Sequence, residues 1–547
     1  MAIKTFGKLQ TGEADSLEFG FYGFRGGLNV KAAPQLVGDE DLTVAFQGYL
    51  RPDGAFQMRN GMATYGTAIS GTGQLILDRF YQTVKNGTSI AEVNAVLGQF
   101  NGTLYSIPSS GSPTTIGSIG NGSTQATFAR IQDPNDPNFV SGLTDCTVIC
   151  TGVGGPYIYD GTNLYTPSGW SQASGASWCA VVNGILWFGG IPAFPNQIFG
   201  TGDGIIASME SLPAYRNFVL SAPVTGLVAQ GTGATATLVI GRNQGVSVLF
   251  GTGPSTFFLQ DVPFQDGVTA GRTMISANGV VYWLGRNAHY TFNAQTVPTQ
   301  TSVKVEPWIL DDPFTPGYAM TGNRGLSWSC IYNNRLHLGY CSNATLPNTI
   351  LVYDLNLNAW TVAQTTPGLS SMVLLDAPND PSPYGCLAGS ATSGQAYTWD
   401  YVPPSTTTAV YDGTTPVYAQ AQSKYFKLGV PGTNKALQRF YPEFLVSGTF
   451  STVFTVSTDY GLSTQNAETT NPVTSLTSLM WDTAGSLWDQ AAWGGLSTFV
   501  PFGSPSSRID FPGIQGESFA FGVSMSSPLA PWIWSGGTGV YSQRGRT

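Results

Sequence analysis

Residues 279–298, GVVYWLGRNAHYTFNAQTVP, decide how this chain is read. Two apolar-aromatic runs flank a small polar turn at residues 285–288, and the second run holds His289, one of only two histidines. Related stretches recur. AVLGQFNGTLYSI (95–107) turns at Asn101-Gly102, PYIYDGTNLYTP at Asp160-Gly161 and CAVVNGILWFGG at Asn183-Gly184. SCIYNNRLHLGY turns at Asn333-Asn334, ILVYDLNLNAWTV near residues 355–358, and CLAGSATSGQAYTWD around Ser393-Gly394. Many follow one plan: an apolar strand, a turn of Asn, Asp or Gly, then a strand carrying Trp, Tyr or Phe. A single hairpin cannot hide its apolar face, whereas neighbouring hairpins can cover one another. The plan predicts a degenerate β-propeller, and the irregular spacing does not give its number of blades.

Composition agrees. The chain has 547 residues, 42% hydrophobic and 12% aromatic, so material for a repeating core is ample. Charged residues are only 10%, against roughly a quarter in ordinary soluble domains. Gly (68) and Pro (34) are spread without a collagen period, which implies many turns. Net charge is −9 with no basic cluster, which argues against specific nucleic-acid binding. A polyanion that only has to slide past is compatible with such a surface. No run approaches the length of a membrane helix, and MAIKTFGKLQTGEADS lacks the apolar core of a secretion signal. Six cysteines without a CxxC pair predict buried free thiols.

Near residue 403 the texture changes. The linear order predicts an N-terminal arm with first strands (1–66), a propeller (67–402), a Pro/Thr-rich connector (403–415) and a β-sandwich or barrel (416–547). The tract SLMWDTAGSLWDQAAWGG (478–495) places Trp481, Trp488 and Trp493 among small residues, suited to packing on a neighbour.

Catalytic chemistry finds little support. Two isolated histidines, His289 and His337, make neither an HExxH pair nor a metal cluster, and His289 is expected to pack beside Tyr290 and Phe292. No GxSxG elbow occurs, and GTGATATLVIG lacks the lysine of a phosphate loop. DPNDPN (133–138) lacks the glycine and distal glutamate of a calcium loop. The alternative with substance is a carbohydrate-binding or glycoside-hydrolysing propeller. It would use Glu306, Asp311 and Asp312 in VEPWILDDP, with Trp308 and Trp399 as stacking surfaces.

FRGGLNVKAAPQLVGDEDLTVAFQGYLRPDGAFQMRNGMATYG (24–66) resembles the opening of tail hub or nozzle proteins of short-tailed bacteriophages. The matching residues are Gly26, Gly27, Leu28, Asn29, Pro34, Gly38, Asp39, Glu40, Asp53, Gly54, Arg59 and Gly61, and Gln47-Gly48 stands where a Gln-Asn pair is expected. AGRTMISANGVVYWLGRNAHYTFN resembles a blade of that family, and YPEFLVSGTFSTVFTVSTDYG with RIDFPGIQGESFAFGVS resembles its C-terminal sandwich. The resemblance implies a structural virion protein, not an enzyme, without cofactor or metal and assembled in the host cytoplasm. It implies a homo-oligomeric ring, usually a hexamer, below the portal and adaptor, docking tail fibres or spikes outside. Genomic DNA would pass the lumen without specific binding. The expected interface positions are Gly26, Gly27, Leu28 and Asn29 in the arm and Trp481, Trp488 and Trp493 in the tryptophan loop.

Overall fold

Left-handed backbone in the turns starts the sheets. Asn101-Gly102 (φ 49° and 77°), Asn183-Gly184 (52°, 72°), Asn278-Gly279 (52°, 75°) and Asn333-Asn334 (49°, 60°) each join strands that pair directly across the turn. Two successive positive φ values mark a type I′ turn, whose twist matches that of its strands, and Asn and Gly adopt it at least cost. The computed structural model describes residues 16–34, 36–86, 89–120, 125–132, 145–202, 211–294, 297–312, 317–375, 385–401, 411–446, 450–471, 500–502, 509–511, 513–525 and 532–543.

The protein is all-β: a propeller and a β-sandwich. The contacts divide it into two units, 1–62 with 351–364 and 400–547, and 63–350 with 365–399. The second unit is the propeller. Blade 1 is the antiparallel meander Ile76–Asn86, Ser89–Phe100, Thr103–Ile107 and Thr114–Ser118. Blade 2 is Thr127–Gln132, Asp145–Cys150, Tyr157–Tyr159 and Leu164–Tyr165, and blade 3 is Trp178–Val182, Ile185–Gly189, Gln197–Gly200 and Asn217–Val219. Blade 4 is Val224–Gln230, Thr237–Arg242, Val246–Phe250 and Phe258–Asp261. Residues 279–298 fall in blade 5, Ile275–Ala277, Val280–Leu284, His289–Phe292 and Thr299–Gln300. A sixth blade position holds the hairpin Trp328–Tyr332 and Arg335–Tyr340. The seventh joins Leu369–Leu374, Cys386–Ser390 and Ser393–Tyr401 to an early strand, Gly61–Thr72, on its outer side.

First strands of successive blades pack side by side from blade 2 to blade 7, and that of blade 7 meets that of blade 1. Ser370 Oγ and Ser371 Oγ donate to the Leu75 carbonyl at 2.7 and 3.0 Å, and Leu77 N donates back to Ser371 Oγ at 2.9 Å. Gly389 has no side chain because the Leu75 carbonyl occupies that space. The hairpins cover one another as their pattern predicts. Cys146, Val148, Cys150 and Ile158 of blade 2 share a core with Cys179, Leu186, Phe188 and Phe199 of blade 3. Val239, Val246 and Val248 of blade 4 share one with Val281, Trp283, Tyr290 and Phe292 of blade 5. All six cysteines are free and buried. One turn lies elsewhere than expected: Cys386–Ser390 ends before Ser393-Gly394, and Ser390 Oγ receives the amides of Thr392 and Ser393 at 3.2 Å. Gly394 lies inside the next strand, where the Ile69 carbonyl of the closing strand leaves no room for a Cβ.

The other unit is the sandwich. In one sheet Trp532–Gln543 runs between Lys435–Val446 and Ser16–Tyr22, the latter in unbroken register from Ser16↔Ser542 to Tyr22↔Gly536. In the other, Ser518–Met525 lies between Phe450–Thr458 and Gln420–Ser423, with Asp41–Phe46 next in order. Period-two alternation sends Phe19 and Phe21 inward, where both rings lie 5.3 Å from Phe521. Phe440 stacks on Phe521 at 4.6 Å and Phe21 on Phe426 at 5.0 Å. The linear division 1–66, 67–402, 403–415 and 416–547 is therefore not how the contacts group the chain. Residues 16–62 group with the sandwich, because Ser16–Tyr22 and Asp41–Phe46 pair with Trp532–Gln543 and Gln420–Ser423 of the C-terminal half.

Candidate functional site

The histidines are core residues. His289 is fully buried, its Nδ1 lies 2.7 Å from Thr301 Oγ1, and its ring stacks on Tyr282 at 6.3 Å. Tyr290 points to the opposite face, toward Phe264 (4.8 Å) and Trp283 (5.8 Å), as strand alternation requires, so the expected packing of His289 beside Tyr290 is not what forms. His337 packs edge-on to Trp399 at 5.8 Å. Burial lowers both imidazoles to about 3, so they are neutral at pH 7.

The acids and tryptophans of the carbohydrate alternative do not form a groove. Glu306 opens a short helix, Glu306–Ile309, and accepts from Gln300 Nε2 at 3.0 Å. Trp308 is 4% exposed, its ring meeting Tyr318 edge-on at 5.5 Å, and Trp399 is 3% exposed. Neither offers a face to a sugar. Asp311 takes a left-handed turn (φ 58°), and Asp312 N donates to the Pro307 carbonyl at 2.9 Å. DPNDPN lies outside the described residues, among which no cluster of three metal-ligating side chains occurs.

The N-terminal motif holds the sandwich unit together. Gly27-Leu28 pairs in parallel with Asp41-Leu42, and both residues of the pair are buried. Gly27 has φ 66°, and a Cβ there would lie 2.8 Å from the Trp360 carbonyl. Gly26 leaves room for the Asp41 carboxylate, which accepts from Asn29 Nδ2 at 2.7 Å and Gly38 N at 3.3 Å. Arg59 closes the motif: fully buried, it donates from Nε to Gln47 Oε1 at 2.6 Å and forms a two-pronged ion pair with Asp412, Nη1 to Oδ1 being 2.8 Å. Burial alone would pull the guanidinium down, but the Asp412 carboxylate outweighs it and raises the pKa. Gly61 admits the Tyr411 backbone, Asn60 N donates to Asp400 Oδ1 at 3.0 Å, and Asp412 pairs with Met62. The motif thus clamps the chain where it leaves the sandwich unit (62/63) to the segment where it re-enters (399/400). Of the expected interface residues, Gly27 and Leu28 serve internal packing, Gly26 and Asn29 hold Asp41, and Trp481, Trp488 and Trp493 lie outside the described residues.

One open cleft, not anticipated from sequence, lies where blades 4 and 5 meet. It encloses about 200 Å³ and is lined by Asn243, Gln244, Gln265, Asp266, Arg286 and Asn287. Asp266 shapes its floor by accepting the amides of Arg286 (2.9 Å) and Asn287 (3.0 Å), and burial followed by this carboxylate raises the Tyr290 phenol. The signal was present: Gly-Arg-Asn occurs twice, at 241–243 and 285–287, once in the hairpin turn of each adjoining blade.

No protein-family model and no curated protein matches this chain. Among solved structures it is similar to Hsv2 of Kluyveromyces lactis, at 13% identity over 47% of this chain and 70% of that one, TM-score 0.28. It is also similar to BBS1N in complex with ARL6DN (11% identity, 59% of this chain and 78% of that one, TM-score 0.26). A third is apo AztD from Citrobacter koseri (10%, 59% and 99%, TM-score 0.28). At these TM-scores the likenesses carry no argument, and the architecture rests on the strand pairing itself.

Proposed function

We propose that this chain is a structural subunit of a virion tail, a hub or nozzle protein that closes into a homo-oligomeric ring below a portal and adaptor. Fibres or spikes dock on the outside and genomic DNA passes the lumen without specific binding. The supporting observation is how the motif at 24–61 is used: its closing residues, Arg59 and Gly61, clamp the segment at 411–412, where the Arg59–Asp412 pair is buried. The sparse charge agrees, since a conduit should not grip the phosphates that slide past it. A propeller by itself serves many purposes, so the use of specific residues carries the reading. Electron microscopy and analytical ultracentrifugation of the purified chain test the reading. The expected result is a closed ring with a central opening, and a monomer at every concentration would overturn it.

A second reading is favoured by the cleft between blades 4 and 5. Its amides, one carboxylate and one guanidinium are the groups that hydrogen-bond sugar hydroxyls, so a glycan is the ligand class it would take. Saturable oligosaccharide binding lost in Asn287→Ala and Gln244→Ala would favour it.

A further inference from the structure

Gly271–Thr273 is a 3-10 turn leading into blade 5, and it packs against the first strands of both blade 4 and blade 6. Those strands belong to blades that are not neighbours, so only the axis-facing edge of blade 5 can touch both. The turn is fixed on either side of Arg272. Gly271 lies against the Thr225 carbonyl and the Trp178 ring, and Thr273 Oγ1 donates to the Ala270 carbonyl at 2.6 Å while accepting Leu284 N at 2.9 Å.

One guanidinium nitrogen of the side chain between these anchors has nothing to hold. Arg272 Nη1 is sealed from solvent without a hydrogen-bond partner. The same is true of Thr225 Oγ1 on the blade 4 strand and of Ser327 Oγ and Ser329 Oγ at the start of the blade 6 strand, where alternation puts both hydroxyls on one face. More than nine in ten buried polar groups in folded proteins are satisfied, and each exception carries a desolvation cost. Four of them on three elements that pack together mark a place for a group that the chain does not supply. Water would satisfy the hydroxyls but would leave the guanidinium uncompensated. Burial alone lowers Arg272, to about 10, with no acidic neighbour acting on it, so it remains a cation at pH 7.

We propose that Arg272, with the hydroxyls of Thr225, Ser327 and Ser329, is a binding site for one oxyanion, a phosphoryl or carboxylate group, on the axis-facing wall of the propeller. The planar guanidinium presents paired N–H donors that match two oxygens of either group, and the hydroxyls donate to the remaining lone pairs. The site is independent of the ring reading and would exist in a monomer.

The test is thermal unfolding of the full chain in low salt at pH 7, titrated with inorganic phosphate or with acetate, and with chloride at matched ionic strength. A ligand that binds only the folded state raises the midpoint with the logarithm of its concentration. The expected result is a saturable rise with phosphate or acetate beyond that of chloride, absent in Arg272→Met and weakened in Thr225→Val and Ser329→Ala, which keep the charge. The stronger of the two anions names the ligand class. In chloride, Arg272→Met should be at least as stable as wild type, because it removes an uncompensated cation. No rise up to about 50 mM of either anion, or an equal rise in Arg272→Met, overturns the proposal.

Discussion

The Arg59–Asp412 pair allows a prediction with a worked magnitude. Its two side chains are 0% and 4% exposed, so removing one charge leaves the other in a low-dielectric interior. In Asp412→Asn the shape is kept, but Arg59 loses its paired carboxylate and keeps the neutral acceptors Gln47 Oε1 and the Asn60 carbonyl with the weaker pull of Asp400. Breaking a buried pair in this way costs about 3–5 kcal/mol, which multiplies the unfolding constant roughly a hundredfold to a few thousandfold. At about 2–4 °C per kcal/mol for a unit of this size, the sandwich should melt some 6–20 °C earlier. Urea and thermal denaturation give the magnitude, and hydrogen exchange in Trp532–Gln543 shows which unit opens. The double variant Arg59→Met with Asp412→Leu removes both charges and should recover to within about 1 kcal/mol of wild type. Asp412→Asn within about 0.5 kcal/mol of wild type, or a double variant no better than the single, would refute the reasoning.

Other perturbations test the propeller. Trp283→Ala, which opens the core between blades 4 and 5, should cost about 3–5 kcal/mol in denaturant titrations. Gly389→Ala sets a methyl group against the Leu75 carbonyl and should loosen the closure between blades 7 and 1, seen as faster proteolysis while the sandwich keeps its exchange protection. For His289 and His337 the folded pKa, about 3, lies below the unfolded value of 6.5, so the unfolded state binds more protons between these limits. Stability should be full above pH 6.5 and fall toward pH 3 by up to about 1.4 kcal/mol per pH unit for each ring, and His289→Gln should flatten that slope. Asp78, on the first strand of blade 1, works in the opposite sense. Burial raises it from 3.8 to about 7, so its contribution is complete below pH 3.8 and lost as pH rises through 7. Asp78→Asn should therefore be more stable than wild type at pH 8.

The blades were legible because turn chemistry is local. Asn101-Gly102, Asn183-Gly184 and Asn333-Asn334 specify left-handed backbone by themselves, and flanking apolar runs give the period of a strand. The strands beyond residue 416 were legible as β from the same alternation, but the earlier segments grouped with them were not. The partner of Ser16–Tyr22 was not, because register across more than five hundred residues leaves no trace in either strand alone. Ser393-Gly394 misled because a glycine that makes room for the Ile69 carbonyl reads like a turn glycine. At the candidate sites, the burial of His289 followed from its isolation among aromatics, but its ring partner Tyr282 depended on which face the register selects. The cleft and the Arg272 site draw on residues from different blades, and only the repeated Gly-Arg-Asn hints at the first of them.

The long-range pairing of Ser16–Tyr22 with Trp532–Gln543 sets an order of events during synthesis. The strands of blades 1 to 7 span residues 61–401 and are translated before Trp532–Gln543, so the ring can wind shut while Ser16–Tyr22 still waits. Bringing that strand to its partner across an unfolded chain would cost about 4 kcal/mol more loop entropy than closing a four-residue hairpin. A propeller already folded between them shortens the effective loop and removes much of this cost. The sandwich is then the part of each emerging chain that is completed last.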